Sequence, residues 1–153
     1  MPDLSDVIDR VQAAYGHACF ACGRDNPIGM HLELLGVTGG WVEATFTPRP
    51  DFRGAPDVVH GGVTAAALDE IMVWAGIVME NVMTVTGRLD LRYRRPIHLG
   101  ESVLARGTVE SRSGRRLAIT GTLVVAGQVA AEASGLYLVS TSVDDLPPAD
   151  HPA

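Results

Sequence analysis

Val59-His60-Gly61-Gly62-Val63-Thr64-Ala65-Ala66-Ala67-Leu68-Asp69-Glu70 opens the longest helical pattern in the chain and sets a carboxylate inside it. Thr64, Leu68, Ile71, Met72, Ala75, Val78 and Met79 recur at steps close to three and four, the period of one helical face. Asp69 lies on the flank of that stripe. Gly62 and Ala65 stand seven and four residues before it, and Gly76 seven after it, so these small residues share its side of the helix and leave space beside the carboxylate. Glu70 and Trp74 are expected further round.

The paired glycines have a chemical use. The first N–H groups of a helix lack intrahelical partners and sit at the positive end of its dipole. Glycine lets a ligand oxygen come close to them. His60, Gly61, Gly62 and Asp69 together therefore form a candidate site in which a developing oxyanion is held at the helix start. The plainer alternative is a buried helix preceded by a tight glycine turn, with Asp69 a satisfied hydrogen-bonding residue.

The segment HGGVTAAALDE resembles the signature of hotdog-fold acyl-CoA thioesterases of the phenylacetate-pathway and thioesterase-superfamily type: His-Gly-Gly with an acid nine residues after the His, here Asp69. Two further blocks are similar to the same family, so the resemblance covers about residues 18 to 140. Cys19-Phe20-Ala21-Cys22-Gly23 followed by Asn26-Pro27-Ile28-Gly29-Met30 resembles the leading segment of one thioesterase subgroup. Val85 to Gly100 is similar to the strand that follows the catalytic helix, where a hydroxyl residue seven before an aromatic often lies in the active site; the matching position is Thr86, which could equally be an ordinary β-branched strand residue. The chain departs from the pattern before His60. Relatives of the phenylacetate-pathway type carry an Asn there that helps to hold the thioester, whereas this chain has Arg53-Gly54-Ala55-Pro56-Asp57. Either backbone groups replace that Asn, or Gly61 alone polarises the carbonyl.

A net charge of −6 argues against general nucleic-acid binding. The charge is uneven: all twelve basic residues are Arg, and eight of them lie between Arg88 and Arg116 against only Asp90, Glu101 and Glu110. An anionic small molecule could be steered there, although a solvated strand face explains any single Arg as well. No run approaches the ~18 apolar residues of a membrane helix, and the polar, acidic N-terminus does not read as a signal peptide. A cytoplasmic protein without membrane contact is expected. Cys19 and Cys22 supply half of a structural zinc site, and His17 and His31 are near enough in sequence to complete one. The reading preferred is a metal-free structural turn, because the strand-helix context of a redox pair is missing. No cofactor or metal is expected.

Residues 3 to 15 read as an amphipathic helix, part of an N-terminal arm (1–17) ahead of the main domain (18–140). His31–Val37 and Trp41–Thr47 read as a hairpin about Gly39-Gly40, and Pro48–Val58 as a long loop leading into His60. After the long helix, Val82–Pro96 reads as a strand in which Val85, Gly87, Leu89, Leu91 and Tyr93 share the buried face and Thr86, Arg88, Asp90, Arg92 and Arg94 the charged one. Ser102–Glu110 and Leu117–Ala126 pair across a turn at Ser111–Arg116, and Gln128–Val139 is the last strand. The tail, 141–153, reads as mobile, and His151 within it as an unlikely catalyst. The pattern gives an α+β class with an antiparallel sheet wrapped around one long helix. The hotdog fold, a homodimer with paired helices or a dimer of such dimers, and an active site between subunits are what the resemblance implies.

The resemblance also implies an acyl-CoA substrate. The Gly61 N–H would polarise the thioester carbonyl, and Asp69 would activate water as general base or attack directly to give an anhydride. If both subunits contribute, Asp69 faces Gly61 of the partner. His60 orients substrate or the turn, and Thr86 positions water or Asp69. Gly62 and some of Arg88, Arg92, Arg94, Arg95, Arg112, Arg115 and Arg116 would meet the substrate, the arginines through CoA phosphates. Ile71, Met72 and Val73 could line the acyl pocket. Two other readings stand beside this one: a hotdog dehydratase or hydratase, whose His/Asp or His/Glu constellation is not found, and a non-catalytic acyl-CoA-binding module.

Overall fold

Apolar residues run almost all the way round the central segment, the pattern of a helix enclosed by protein. In the computed structural model, which describes residues 3–15 and 17–149, this segment is helix α2 (Gly61–Glu80), preceded by α1 (Leu4–Tyr15). Six strands follow the helices' frame: β1 (Glu33–Thr38), β2 (Trp41–Phe46), β3 (Val82–Tyr93), β4 (Val103–Ser113), β5 (Arg116–Val125) and β6 (Gln128–Ser142). They form one sheet in the order β1-β2-β4-β5-β6-β3, antiparallel at every step. The sheet curls around α2, as the alternation and the long apolar helix imply.

The close approach of helix and sheet has a local cause. Gly107 on β4 and Gly121 on β5 are cross-strand partners. A Cβ at position 107 would stand 2.6 Å from the Ile71 carbonyl oxygen, and one at 121 would stand 2.9 Å from Met72 Cγ. Ile71 and Met72 are wholly buried in that contact. They are core residues, which corrects their assignment to an acyl pocket.

Two further expectations about α2 change. Trp74 is 1% exposed and Met79 38% exposed. Around Trp74 stand residues of α1, of the loop after it and of the start of β1, so the buried arc is wider than a single stripe and ends before Met79. By length and composition α2 is also apolar enough to cross a membrane, which corrects the expectation that no run approaches that size. Here its Ala67, Leu68 and Ala75 are fully buried inside the fold.

Strand β3 shows the largest difference from the sequence pattern. Its register against β6 shifts between Thr86 and Arg88, leaving Gly87 as a bulge that reverses the alternation. Val85 is therefore 61% exposed, while Thr84 and Thr86 turn toward α2; beyond the bulge Leu89 and Leu91 take the partly buried face. The strand ends at Tyr93, three residues before Pro96, where the Arg94 and Arg95 N–H groups share the Ala130 carbonyl. The β4–β5 turn is also tighter than the six residues expected: Ser113 pairs with Arg116 around Gly114-Arg115, with Gly114 at φ 58°. At the other end, β6 continues past Val139 to Ser142, and the 3-10 turn Val143–Asp145 buries Val143 near α1. His151 lies outside the described residues.

Candidate active site

Helix α2 starts with its own cap. His60 holds an extended ψ of 135°, and its Nδ1 accepts from the Gly62 N–H at 2.9 Å. One of the orphan donors at the helix start is thereby satisfied by the histidine. The Gly61 N–H, the first of the helix, has no intrahelical acceptor. Tyr93 Oη donates to the Gly61 carbonyl at 2.9 Å, fixing the end of β3 against the helix start. His60 thus shapes the turn, and Gly61 is left as the exposed donor.

Two turns on, Asp69 meets the sheet. Thr86 on β3 and Tyr137 on β6 are cross-strand partners on the inner face. Thr86 Oγ1 donates to Asp69 Oδ1 at 2.8 Å, and Tyr137 Oη donates to the same oxygen at 2.9 Å. Among the described residues no donor holds Oδ2. The carboxylate is therefore oriented through one oxygen and free at the other. Tyr137 is fully buried; burial first, then the charge and hydrogen bond of Asp69, push its hydroxyl pKa above the ordinary value of 10. It stays a neutral donor.

The sequence reading places Asp69 and Thr86 but misses Tyr137, which reads as one more apolar strand residue. A signal does exist. Ala131, Ala133 and Gly135 precede Tyr137 at alternate positions, and a Cβ on Gly135 would lie 2.7 Å from Tyr137 Cε2. A row of small residues leading to one aromatic marks a ring laid along the inner face. Gly76 has a packing role instead: a Cβ there would meet Thr84 and Ile119 at 3.5 and 3.6 Å.

The arginines separate into groups. Arg94 and Arg95 line a cavity of about 270 Å³ with Gly61, Thr64 and Tyr93 at the start of α2. Arg88 and Arg92 line a different hollow of about 790 Å³ with Thr120, Thr122 and Glu132. Arg115 donates twice to the Val139 carbonyl, at 3.1 and 2.9 Å, and Arg116 follows it at the far hairpin. Arg88 pairs with Asp90 at 2.8 Å, Arg94 with Glu132 at 2.6 Å and Arg112 with Glu80 at 3.1 Å. Of these arginines, Arg94 and Arg95 are the ones that share a cavity with Gly61.

Glu70 points away from Asp69. Its Oε1 accepts from Trp74 Nε1 at 2.9 Å, and it sits with Cys19 and Cys22 so that the three ligand atoms lie within 4.8 Å of one another. A carboxylate, not a histidine, thus joins the cysteines: His31 Nε2 is 2.6 Å from the Asn26 carbonyl, and His17 is exposed. Burial first, and the neighbouring Cys19 second, push the Glu70 carboxyl up to about 7. The Cys22 side chain and backbone N–H groups around it bring the Cys19 thiol down to about 5 against the opposing effect of burial, while the bond to Cys19 and burial push Cys22 up.

Residues 57–132 match the sequence model of the thioesterase superfamily. A solved thioesterase superfamily protein, RHA08564, is 30% identical with a TM-score of 0.73; the match covers 80% of this chain and 60% of that one, so the chain spans less than two thirds of that relative's length. The protein smu.793 of Streptococcus mutans, solved with acetyl CoA, is 18% identical over 78% of this chain and 96% of that one, TM-score 0.69. A mutant of the phenylacetic acid degradation protein PaaI of Thermus thermophilus is 23% identical over 70% and 91%, TM-score 0.63. Among proteins of curated function none matches. The chain has the hotdog fold of these thioesterases, and its residues 57–132 carry the sequence pattern of the thioesterase superfamily.

Proposed function

We propose that the protein hydrolyses an acyl-CoA thioester, with Asp69 as general base or nucleophile and the Gly61 N–H as oxyanion donor. The observation that carries this reading is the Asp69 carboxylate, held at Oδ1 by Thr86 and Tyr137 and unclaimed at Oδ2. Thr86 and Tyr137 are positioning residues: they fix the plane of the carboxylate so that Oδ2 meets either a water or the carbonyl carbon. In the first route Oδ2 takes a proton from water as it attacks; in the second it forms a mixed anhydride that water then opens. In both, the CoA thiolate leaves and the carbonyl oxygen carries the negative charge that a Gly61 N–H would stabilise.

One chain does not supply both parts to one substrate. Gly61 and Asp69 are eight residues apart on α2, which is about 12 Å at 1.5 Å rise per residue. The nucleophile and the oxyanion donor must each come within about 3 Å of the same carbonyl group. A second copy with its helix alongside would bring its own Gly61 to Asp69. The free outer edge of β3 in the sheet order, with Val85 and Tyr93 exposed beside it, supports such a dimer, since a long bare edge strand is ordinarily covered. Arg94 and Arg95 beside Gly61 are suited to the CoA phosphates. Neighbouring structures that hold acetyl CoA or CoA are consistent with that ligand class.

The test is free-thiol release from a panel of acyl-CoAs: short, medium and long aliphatic, phenylacetyl and hydroxybenzoyl. Hydrolysis of at least one ester is expected, with kcat reduced by about a thousandfold or more in Asp69→Asn. Binding of the esters without release by the unmutated protein would replace this reading with the acyl-CoA-binding module.

A further inference from the structure

We propose that Cys19, Cys22 and Glu70 form a binding site for one soft divalent cation, zinc by preference, which ties the loop after α1 to the core helix. Nothing in this inference depends on the thioesterase reading. The two sulfurs and a carboxylate oxygen lie within 4.8 Å of one another. A tetrahedral zinc with bonds of about 2.0–2.3 Å needs ligand atoms about 3.5–3.8 Å apart, so side-chain rotations of an ångström or less would close the set.

The surroundings fit a metal in three separate ways. The Gly23 N–H donates to the Cys19 carbonyl at 2.9 Å, which closes the chain between the two cysteines and sets their sulfurs together. It demands a tight turn: a Cβ on Gly23 would lie 2.3 Å from the Cys19 nitrogen, so only glycine fits there. On the helix side, Trp74 Nε1 donates to Glu70 Oε1 at 2.9 Å. That bond fixes the carboxylate, as outer partners do in metal sites, while the Cys22 thiol contacts the same carboxylate. The third feature is charge. Among the described residues no Arg pairs with Glu70, so a cation would offset the charge of a half-buried carboxylate beside two thiols.

Access is open as well. Cys22 and Trp74 line a cavity of about 330 Å³, with Gln12, Arg24 and His31 in its wall. Of the three proposed ligands Cys22 faces this cavity, so an ion would enter past Cys22 and water would complete the set from that side. Two thiolates favour zinc over magnesium or calcium. Three protein ligands with one open position give a site that exchanges its fourth ligand. Because Glu70 adjoins Asp69, the bound ion would also restrain the turn of α2 that carries Asp69.

The experiment uses the whole chain, stripped of metal and kept reduced, titrated with Co²⁺ and then with Zn²⁺. Saturation at one Co²⁺ per chain is expected, with a near-ultraviolet thiolate-to-cobalt band that Zn²⁺ abolishes. Zinc should also protect both thiols from alkylation. Cys22→Ser should lose the band; because that change touches a tight turn, its fold is checked by circular dichroism. Glu70→Gln, nearly isosteric, should keep the fold and weaken Co²⁺ binding at least tenfold. Absence of a saturable band in the reduced unmutated protein would overturn the proposal. So would unchanged Co²⁺ affinity in Glu70→Gln, or zinc that leaves both thiols as reactive as before.

Discussion

The hydroxyls of Thr86 and Tyr137 both donate to Asp69 Oδ1, and that asymmetry decides which edge of the carboxylate can meet a substrate. The two donors differ in kind. Thr86 is partly exposed, whereas Tyr137 is fully buried, and its pKa is raised above 10 by burial and by the Asp69 charge. In the unfolded chain tyrosine ionises near pH 10 while the folded Tyr137 still holds its proton. Its contribution to stability is therefore intact below pH 10 and is lost as pH rises beyond it. Urea denaturation should show the unmutated protein more stable than Tyr137→Phe by about 1 kcal/mol near neutrality, with the margin shrinking from pH 10 upward; a margin that grows there would contradict the assignment. At this scale the sequence exposes what spacing can carry. Asp69 and Thr86 are reached through the resemblance, which expects an acid nine residues after His60 and a hydroxyl seven before Tyr93. Tyr137 is reached only by knowing that β6 pairs with β3, a contact across 51 residues of chain between Thr86 and Tyr137 that no local pattern encodes.

Among elements, α2 decides the rest because the sheet must come close to it. Gly107 meets the helix backbone, whereas Gly76, inside the helix, has ordinary contact distances around a would-be Cβ. The two glycines should respond to alanine with opposite signs. Gly107→Ala should destabilise by about 2 kcal/mol, since a backbone carbonyl cannot step aside. Gly76→Ala should stabilise by up to about 1 kcal/mol through helix propensity. Thermal or urea melts decide both, and a tolerated Gly107→Ala would mean that the helix rides higher on the sheet. The order of elements was readable from periodicity because burial on one side imposes a period of two or of 3.6. The phase of β3 was not, because a bulge at Gly87 costs one residue and inverts every side chain after it. The extra burial of Trp74 was equally hidden, since its neighbours come from three distant segments: α1, the loop carrying Cys22 and the start of β1.

For the whole molecule, the proposal turns on about 12 Å of helix between two groups that must reach one carbonyl. The proposed dimer places each Asp69 opposite the Gly61 of its partner, and this can be tested with two individually inactive variants. Asp69→Asn removes the carboxylate. Gly61→Pro removes the N–H at the first helical position, where proline is tolerated, and the His60 ψ of 135° suits a residue that precedes proline. A Cβ at Gly61 comes no closer than 3.6 Å to Tyr93, so the ring need not move. Each variant alone should release little thiol from the preferred acyl-CoA. Mixed, unfolded and refolded together in equal amounts, half of the dimers would hold one of each, and each such dimer would rebuild one complete site from an Asp69 and a partner's Gly61. Recovery of about a quarter of the unmutated rate is expected in the mixture. A mixture no more active than its two components, when mixed dimers are shown to form, would contradict a site shared between subunits.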